Sequence, residues 1–207
     1  MEFVRPIEAL IPGVQGRILS VLTETTADLN LRTIARLADV SVAQASRVLP
    51  HLVELGLVER WELPPSSLFR LVREHAAAGP LLSLARAWDA VVEKMGRTAG
   101  DLPVVPVSVI VFGSFARGEA DVQSDIDTVL VRPADVEESD DGWSASVEQW
   151  RDTVRRMSGN PVEVLEVGSD EIAKRLHSRR QIWHDIRRDG LVVHGLSIDE
   201  LEVRLDA

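Results

Sequence analysis

Residues 107–133 read VSVIVFGSFARGEADVQSDIDTVLVRP, and this stretch decides how the C-terminal half of the chain is interpreted. An apolar run over Val107–Phe112 predicts a buried strand, which is followed by a turn at Gly113 and Ser114. A second apolar run over Ile126–Val131 predicts another strand, with Asp125 and Asp127 at its start. The pattern therefore predicts two strands, one followed by a glycine turn and the other bearing two acids.

These residue types suit a site for phosphates and metal ions. Glycine has no Cβ, so at Gly113 the backbone can approach a ligand, and Ser114 is expected to cap a turn whose N–H groups face an anion. Asp125 and Asp127 would share one face of a strand, with Cα atoms about 6.5–7 Å apart. A divalent cation would relieve their repulsion, and their hard oxygen atoms suit Mg²⁺ or Mn²⁺. The pattern predicts in-line transfer of a nucleotidyl group from a nucleoside triphosphate.

The phrase GSFARGEADVQSDIDTVLV resembles the signature of polymerase-beta-like nucleotidyltransferases, above all the minimal nucleotidyltransferase branch. The resemblance covers roughly residues 104–195. It implies that Gly113 and Ser114 bind the triphosphate and that Asp125 and Asp127 bind metal. Arg117 and Ser124 are implied as further nucleotide-binding residues. Mg²⁺ is the implied cofactor, with Mn²⁺ as an alternative, and ATP is the expected nucleoside triphosphate.

The resemblance also implies a third carboxylate on the next core strand, PVEVLEV. Glu163 stands where the likeness places this acid, and we expect it to join the metal ligands. Glu166 is the competitor, and a separation of three residues sends the two side chains to opposite faces of a strand. The family more often has Asp at this position.

Residues 1–75 follow a different pattern. Apolar spacing predicts helices over 14–25, 31–38 and 42–55, the last capped by Ser41 and ended by Gly56, followed by strands at 57–63 and 68–72. This order resembles winged helix-turn-helix regulators over roughly residues 12–75. It implies that the third helix reads a DNA major groove and that the wing lies near phosphates. The expected DNA-contacting residues are Gln44, Ser46, Arg47, His51 and Arg60, with Arg70 a further wing residue.

Charge leaves an alternative for this N-terminal region. It holds eight Arg and no Lys against nine Asp and Glu, and the alternative is a winged helix that packs against protein. The third helix also contains Pro50, which removes a backbone hydrogen bond inside a helix.

We therefore expect an α/β (α+β) protein of two domains. The predicted divisions are a winged helix-turn-helix domain over 1–75, a connecting helix and linker over 76–103, and a nucleotidyltransferase domain over 104–207. The connector contains one long helix, 76–97, and the nucleotidyltransferase fold has a mixed sheet flanked by helices. A closing helix is predicted over 197–205.

Composition excludes some kinds of site and indicates the cellular location of the protein. The 207 residues include no Cys, which excludes disulfides and thiolate metal sites, and a net charge of −10 argues against indiscriminate binding to nucleic acid. Neither a secretory signal nor a membrane span is recognisable, so the expected location is cytoplasmic and no membrane partner is expected. A homodimer is compatible with the sequence.

The leading hypothesis is a Mg²⁺-dependent enzyme that moves a nucleoside monophosphate to a hydroxyl of a protein, an RNA or a small molecule. One alternative is a transcription regulator whose nucleotidyltransferase-like half senses a nucleotide with little or no turnover. Another is an antitoxin-type protein that adenylylates a partner. Nothing in the sequence names the acceptor.

Overall fold

The computed structural model describes residues 1–203, which form two compact units. One unit is Arg5–Ala87, and the other joins Met1–Val4 to the chain from Trp88 onward. The two units are described separately below.

The N-terminal unit is a winged helix. Its elements are α1 (Pro6–Leu10), α2 (Val14–Thr23), β1 (Leu29–Asn30), α3 (Leu31–Leu37), α4 (Val42–Glu54), β2 (Val58–Leu63), β3 (Ser66–Leu71) and α5 (Ala78–Ala85). The three strands form an antiparallel sheet in the order β1-β3-β2, which packs with the helices around a core that includes Ile18, Ile34, Leu49 and Phe69.

The ends of α4 agree with the sequence prediction. Ser41 caps the helix through a reciprocal capping box with Gln44, and Gly56 follows its last turn with a φ of 73°. Pro50 lies inside α4 without ending it, since the helix continues to Glu54.

The prediction of a single connecting helix over residues 76–97 is wrong. Two helices replace it, α5 and α6 (Ala87–Gly100), because the backbone leaves the helical region at Arg86, where φ is −104° and ψ is 25°. Ala78 of α5 is buried in the core of the N-terminal unit, whereas Met95 of α6 is buried in the other core. The apolar stripe that suggests one helix thus serves two separate cores.

The C-terminal unit contains, after α6, the elements β4 (Ser108–Phe112), α7 (Gly113–Ala116), β5 (Ile126–Arg132), α8 (Asp141–Ser158), β6 (Val162–Gly168), α9 (Ile172–Leu176), α10 (Gln181–Asp189), β7 (Leu191–Gly195) and α11 (Ile198–Val203). Its strands form a four-stranded mixed sheet in the order β6-β5-β4-β7. Strands β5 and β6 are parallel, and β4 is antiparallel to both β5 and β7. Residues 204 and 205 of the predicted closing helix lie outside the described residues.

Helices cover both faces of this sheet. Val111, Ile126 and Leu130 on one face share a core with Trp143 and Trp150 of α8. The core of the opposite face contains Ile110, Val129 and Val131 from the sheet, together with side chains from α9 and α10 that include Ile172, Trp183 and Ile186. Alternation along the strands produces this division, and it also fixes the face on which each acidic residue lies.

Candidate functional site

Gly113 lies at the junction of β4 and α7, directly beside Asp127. Its φ is 72°, a conformation that strains any residue with a Cβ, and a Cβ at this position would lie 2.5 Å from Oδ2 of Asp127. The β4–β5 register, which pairs Phe112 with Asp127, produces this approach. Glycine is therefore required at 113 both by its backbone conformation and by the neighbouring carboxylate.

Asp127 and Glu163 are direct register partners on the parallel strands β5 and β6. Strand alternation places both on the face that also carries Val129 and Leu165, and Asp125 directly precedes β5. Burial raises the pKa of Asp127 above its ordinary value, and the negative charges of Asp125 and Glu163 raise it further. The negative charges of Asp125 and Glu163 thus act on Asp127 near the start of β5.

Glu166 has a different environment. Its Oε2 accepts a hydrogen bond of 2.5 Å from Nε1 of Trp143 in α8, on the opposite face from Glu163. Glu163 therefore lies beside Asp127, whereas Glu166 is hydrogen-bonded to Trp143 on the opposite face of the sheet.

The carboxylate group fits a hard divalent cation by its chemistry. Its donors are oxygen atoms, and a cation would offset the repulsion that raises the pKa of Asp127. Within residues 1–203, no three His, Asp or Glu side chains already converge as a metal-binding group. Mg²⁺ is usually held by one or two carboxylates, with substrate phosphates and water completing its shell, so a looser set of acids suits it.

The predicted nucleotide-binding residues differ in their surroundings. Ser114 lies inside α7, whose N-cap is Phe112 without a side-chain cap, so the prediction that Ser114 caps this turn is wrong. Nε of Arg117 donates to Oε2 of Glu119 at 2.8 Å. Ser124 uses its hydroxyl to close a local turn, donating to Oδ1 of Asp121 at 2.9 Å and accepting from the Asp121 N–H. Of the four predicted residues, Gly113 has the clearest structural reason for its identity.

Asn160 is a positioning residue that the sequence analysis missed. Its side chain is fully buried, and Nδ2 donates hydrogen bonds of 2.8 Å to the carbonyl oxygens of Asp121 and Ser124. The next residue, Pro161, accepts a backbone bond from Ile126 at 2.9 Å. Asn160 therefore fixes the loop that delivers Asp125 to the site. Its position just before an apolar strand was the available signal, and a Gly-Asn-Pro sequence there suggests only a turn.

The five predicted DNA-contacting side chains are all exposed: Gln44, Ser46, Arg47, His51 and Arg60. Several make local bonds. Oε1 of Gln44 accepts from the Ser41 N–H, Ser46 donates to the carbonyl of Ala43, and Arg60 contacts Glu62 and Ser67.

Arg70 lies on the other face of the wing from Arg60, between the carboxylates of Glu59 and Asp28 and over the ring of Trp61. The hydrogen bond with Glu59 raises the pKa of Arg70. Its charge is therefore already paired, which does not favour the phosphate contact predicted for it.

The face of the N-terminal unit between α4 and the wing contains a cleft of about 940 Å³. Leu49, Pro50, Val53 and Phe69 give it apolar walls, and Ser46 and Arg60 contribute polar atoms.

Across the described residues, no helix is both long and apolar enough to cross a membrane.

Comparisons with known proteins agree with both units. Residues 92–187 match the family model of a nucleotidyltransferase domain, and residues 16–62 match that of the IclR helix-turn-helix domain. A search of curated protein sequences found no significant match.

Three solved structures also resemble the chain. A toxin–antitoxin protein with AMP-PNP is 17% identical and has a TM-score of 0.36; the match covers 56% of this chain and 82% of that one. NadR in complex with 4-hydroxyphenylacetate is 24% identical and has a TM-score of 0.33; the match covers 45% of this chain and 71% of NadR. The archaeal chromatin protein TrmBL2 is 15% identical and has a TM-score of 0.31; the match covers 92% of this chain and 78% of TrmBL2. The two family matches lead to one conclusion: the chain carries a nucleotidyltransferase domain preceded by a helix-turn-helix domain of the IclR type.

Proposed function

We propose that the C-terminal unit is an active, Mg²⁺-dependent nucleotidyltransferase that moves a nucleoside monophosphate from a nucleoside triphosphate, ATP being the expected one, to a hydroxyl acceptor. The observation that carries the proposal is the pairing of Asp127 with Glu163 beside Gly113. This pairing places acids from two strands next to a turn that the family match assigns to a nucleotidyltransferase domain.

The residues have distinct roles in this proposal. Asp125, Asp127 and Glu163 would hold Mg²⁺, with Mn²⁺ as an alternative, and the bound ion would supply neutralisation of the phosphate charge. Gly113 and Ser114 bind the triphosphate through the backbone at the start of α7. The acceptor oxygen forms a bond to the α-phosphorus while the bond to the β-phosphate breaks, and pyrophosphate leaves with the electron pair. The acceptor proton passes to the carboxylate of Glu163.

The N-terminal unit would bind DNA through the exposed face of α4, with Arg47 as its main cationic contact. The match to an IclR helix-turn-helix domain and the exposure of Arg47 support this assignment. Binding of this kind would couple the transferase to a DNA site and give the protein a role in transcription.

Transfer itself separates this proposal from its alternatives. The full chain is incubated with each of the four nucleoside triphosphates labelled at the α-phosphate, together with Mg²⁺ and cell extract. An acceptor should become labelled, and the double substitution Asp125→Ala, Asp127→Ala should abolish the labelling. Magnesium-dependent nucleotide binding without any transfer would favour a nucleotide-sensing regulator, whereas a labelled partner protein would favour the antitoxin-type alternative.

A further inference from the structure

A small pocket lies on the sheet face that carries the candidate metal site. It has a volume of about 200 Å³ and is bordered by Leu165 of β6, Arg175 of α9, and Arg180, Ile182 and Trp183 at the start of α10. Leu165 is two residues beyond Glu163 on the same strand face, a separation of about 6.6 Å between Cα atoms. The pocket therefore begins one strand repeat beyond Glu163 on the same face of β6, although none of the three candidate metal ligands borders it.

Two arginines, Arg175 and Arg180, border this pocket in a protein whose net charge is −10. Arg180 is exposed and, among the described residues, has no carboxylate within 4.0 Å. Arg175 is partly compensated, since Nη2 donates to Oε2 of Glu171 at 3.1 Å. The pocket thus presents guanidinium groups to an anion beside an apolar wall.

The size and chemistry of the pocket favour one kind of ligand. Sites for drug-sized molecules span roughly 300–1,000 Å³, so this pocket suits a single base or a similarly small planar group. Leu165 and Ile182 would contact such a group, and Arg180 and Arg175 would bind an adjacent phosphate. Glu166 also borders the pocket, but its carboxylate is already bonded to Trp143.

We propose that this pocket binds the acceptor, and that the acceptor is a nucleotide unit, either the 3′ end of an RNA strand or a free nucleotide. The inference rests on the proposed function, because it supplies the hydroxyl for the same site. With its phosphate at Arg180 and its base against Leu165 and Ile182, the ribose points along β6 towards Glu163. The ribose oxygen then bonds to the α-phosphorus of the nucleoside triphosphate, and pyrophosphate leaves.

Neighbouring arginines provide the test. Arg180 borders the pocket, whereas Arg179, which is also exposed and carries the same charge, does not. Arg180→Ala and Arg179→Ala are each made in the full chain carrying Asp125→Asn and Asp127→Asn. Binding of a short single-stranded RNA, labelled at its 5′ end and with a free 3′ hydroxyl, is followed by fluorescence anisotropy. Unlabelled AMP is the competitor.

Arg180→Ala should weaken RNA binding by about tenfold or more, the equivalent of one strong charged contact, and Arg179→Ala by less than about twofold. Displacement of the RNA by AMP would identify a free nucleotide as sufficient, and failure of AMP to compete would identify the strand end. Equal weakening by both substitutions would overturn the proposal in favour of diffuse charge attraction, and so would the absence of binding to both RNA and AMP.

The test distinguishes this inference from the proposed function. Binding is measured on protein whose metal-binding acids are substituted, so loss of transfer does not alter it. Pocket-specific RNA binding by a natural protein that transfers nothing would contradict the proposed function and the acceptor role together, and would leave the pocket as a nucleotide-binding site. Labelling of a polypeptide acceptor that is indifferent to Arg180→Ala would contradict the inference alone.

Discussion

Gly113 and Asp127 are so close that a Cβ on residue 113 would lie 2.5 Å from the Oδ2 atom of Asp127. Gly118 provides a matched comparison, because its φ of 69° is nearly the same but a Cβ there would meet nothing within 4 Å. The two glycines therefore separate the cost of backbone strain from the cost of displacing a carboxylate.

Gly113→Ala should destabilise the protein more than Gly118→Ala. Backbone strain alone costs about 1–2 kcal/mol in this region of φ, and displacement of Asp127 should bring the total at 113 to about 3 kcal/mol. Urea denaturation of both variants measures the difference. Equal losses of stability would show that Asp127 yields to the added methyl group without cost.

Asp127→Asn should stabilise the protein when no divalent cation is present. Because the pKa of Asp127 is raised in the folded state, its charged form opposes folding, and stability is lost as the pH rises through the shifted pKa. Because solvent screens the half-buried carboxylate, Asp127→Asn should raise the free energy of unfolding at neutral pH by no more than about 1 kcal/mol. Thermal unfolding with and without Mg²⁺ tests it: Mg²⁺ should stabilise the natural protein and have little effect on the variant.

Asp121→Asn is the control for that experiment. Hydrogen bonds from Gln123 and Ser124 lower the pKa of Asp121, so its charged form favours folding and its contribution is lost as the pH falls through the shifted pKa. This substitution should therefore lower the stability at neutral pH, the opposite sign to Asp127→Asn. If both substitutions stabilise the protein, the cause is its smaller net negative charge and not the local environment of Asp127.

Asn160→Ala should weaken both the fold and the response to Mg²⁺. The substitution removes the two Nδ2 hydrogen bonds to the carbonyls of Asp121 and Ser124, which together contribute about 1–3 kcal/mol, and it releases the loop before Asp125. It also removes the bond that Oδ1 accepts from the Met1 amino group. The Mg²⁺ concentration for half-maximal transfer should rise, whereas exposed Gln123→Ala should leave it unchanged. If Asn160→Ala lowers the stability but leaves the Mg²⁺ requirement unchanged, Asn160 stabilises the fold without positioning Asp125.

DNA binding by the N-terminal unit should depend on Arg47 and not on Arg70. Arg47→Ala should remove about 1–3 kcal/mol of binding free energy on DNA from upstream of the protein's own gene. Arg70, already held by Glu59 and Asp28, should contribute less than about 0.5 kcal/mol. Gel shifts at increasing salt measure both variants; equal effects, or insensitivity to salt, would count against the groove-reading role of α4.

The sequence predicted the elements whose signal is local. The strands on either side of Gly113 and the capping of α4 by Ser41 follow from apolar periodicity and cap chemistry, and the structure confirms both. The preference for Glu163 over Glu166 came from the family resemblance. Strand alternation predicted that the two side chains lie on opposite faces, and the observed register agrees with that prediction.

Features that depend on distant contacts were not predictable in this way. The break at Arg86 arises because one apolar stripe is divided between two cores, and periodicity alone does not report such a division. Asn160 bonds to carbonyl groups more than thirty residues away, and Ser124 bonds within its own turn where the resemblance implied a nucleotide contact.

The most direct test of the proposed site compares Glu163→Gln with Glu166→Gln. Both remove one negative charge from β6, and glutamine at 166 can still accept the hydrogen bond from Trp143. Transfer of α-phosphate label from ATP in the presence of Mg²⁺ and cell extract is measured for each. Glu163→Gln should lose transfer, whereas Glu166→Gln should retain it. Retained transfer in Glu163→Gln, or its loss only in Glu166→Gln, would contradict the shared site of Asp125, Asp127 and Glu163.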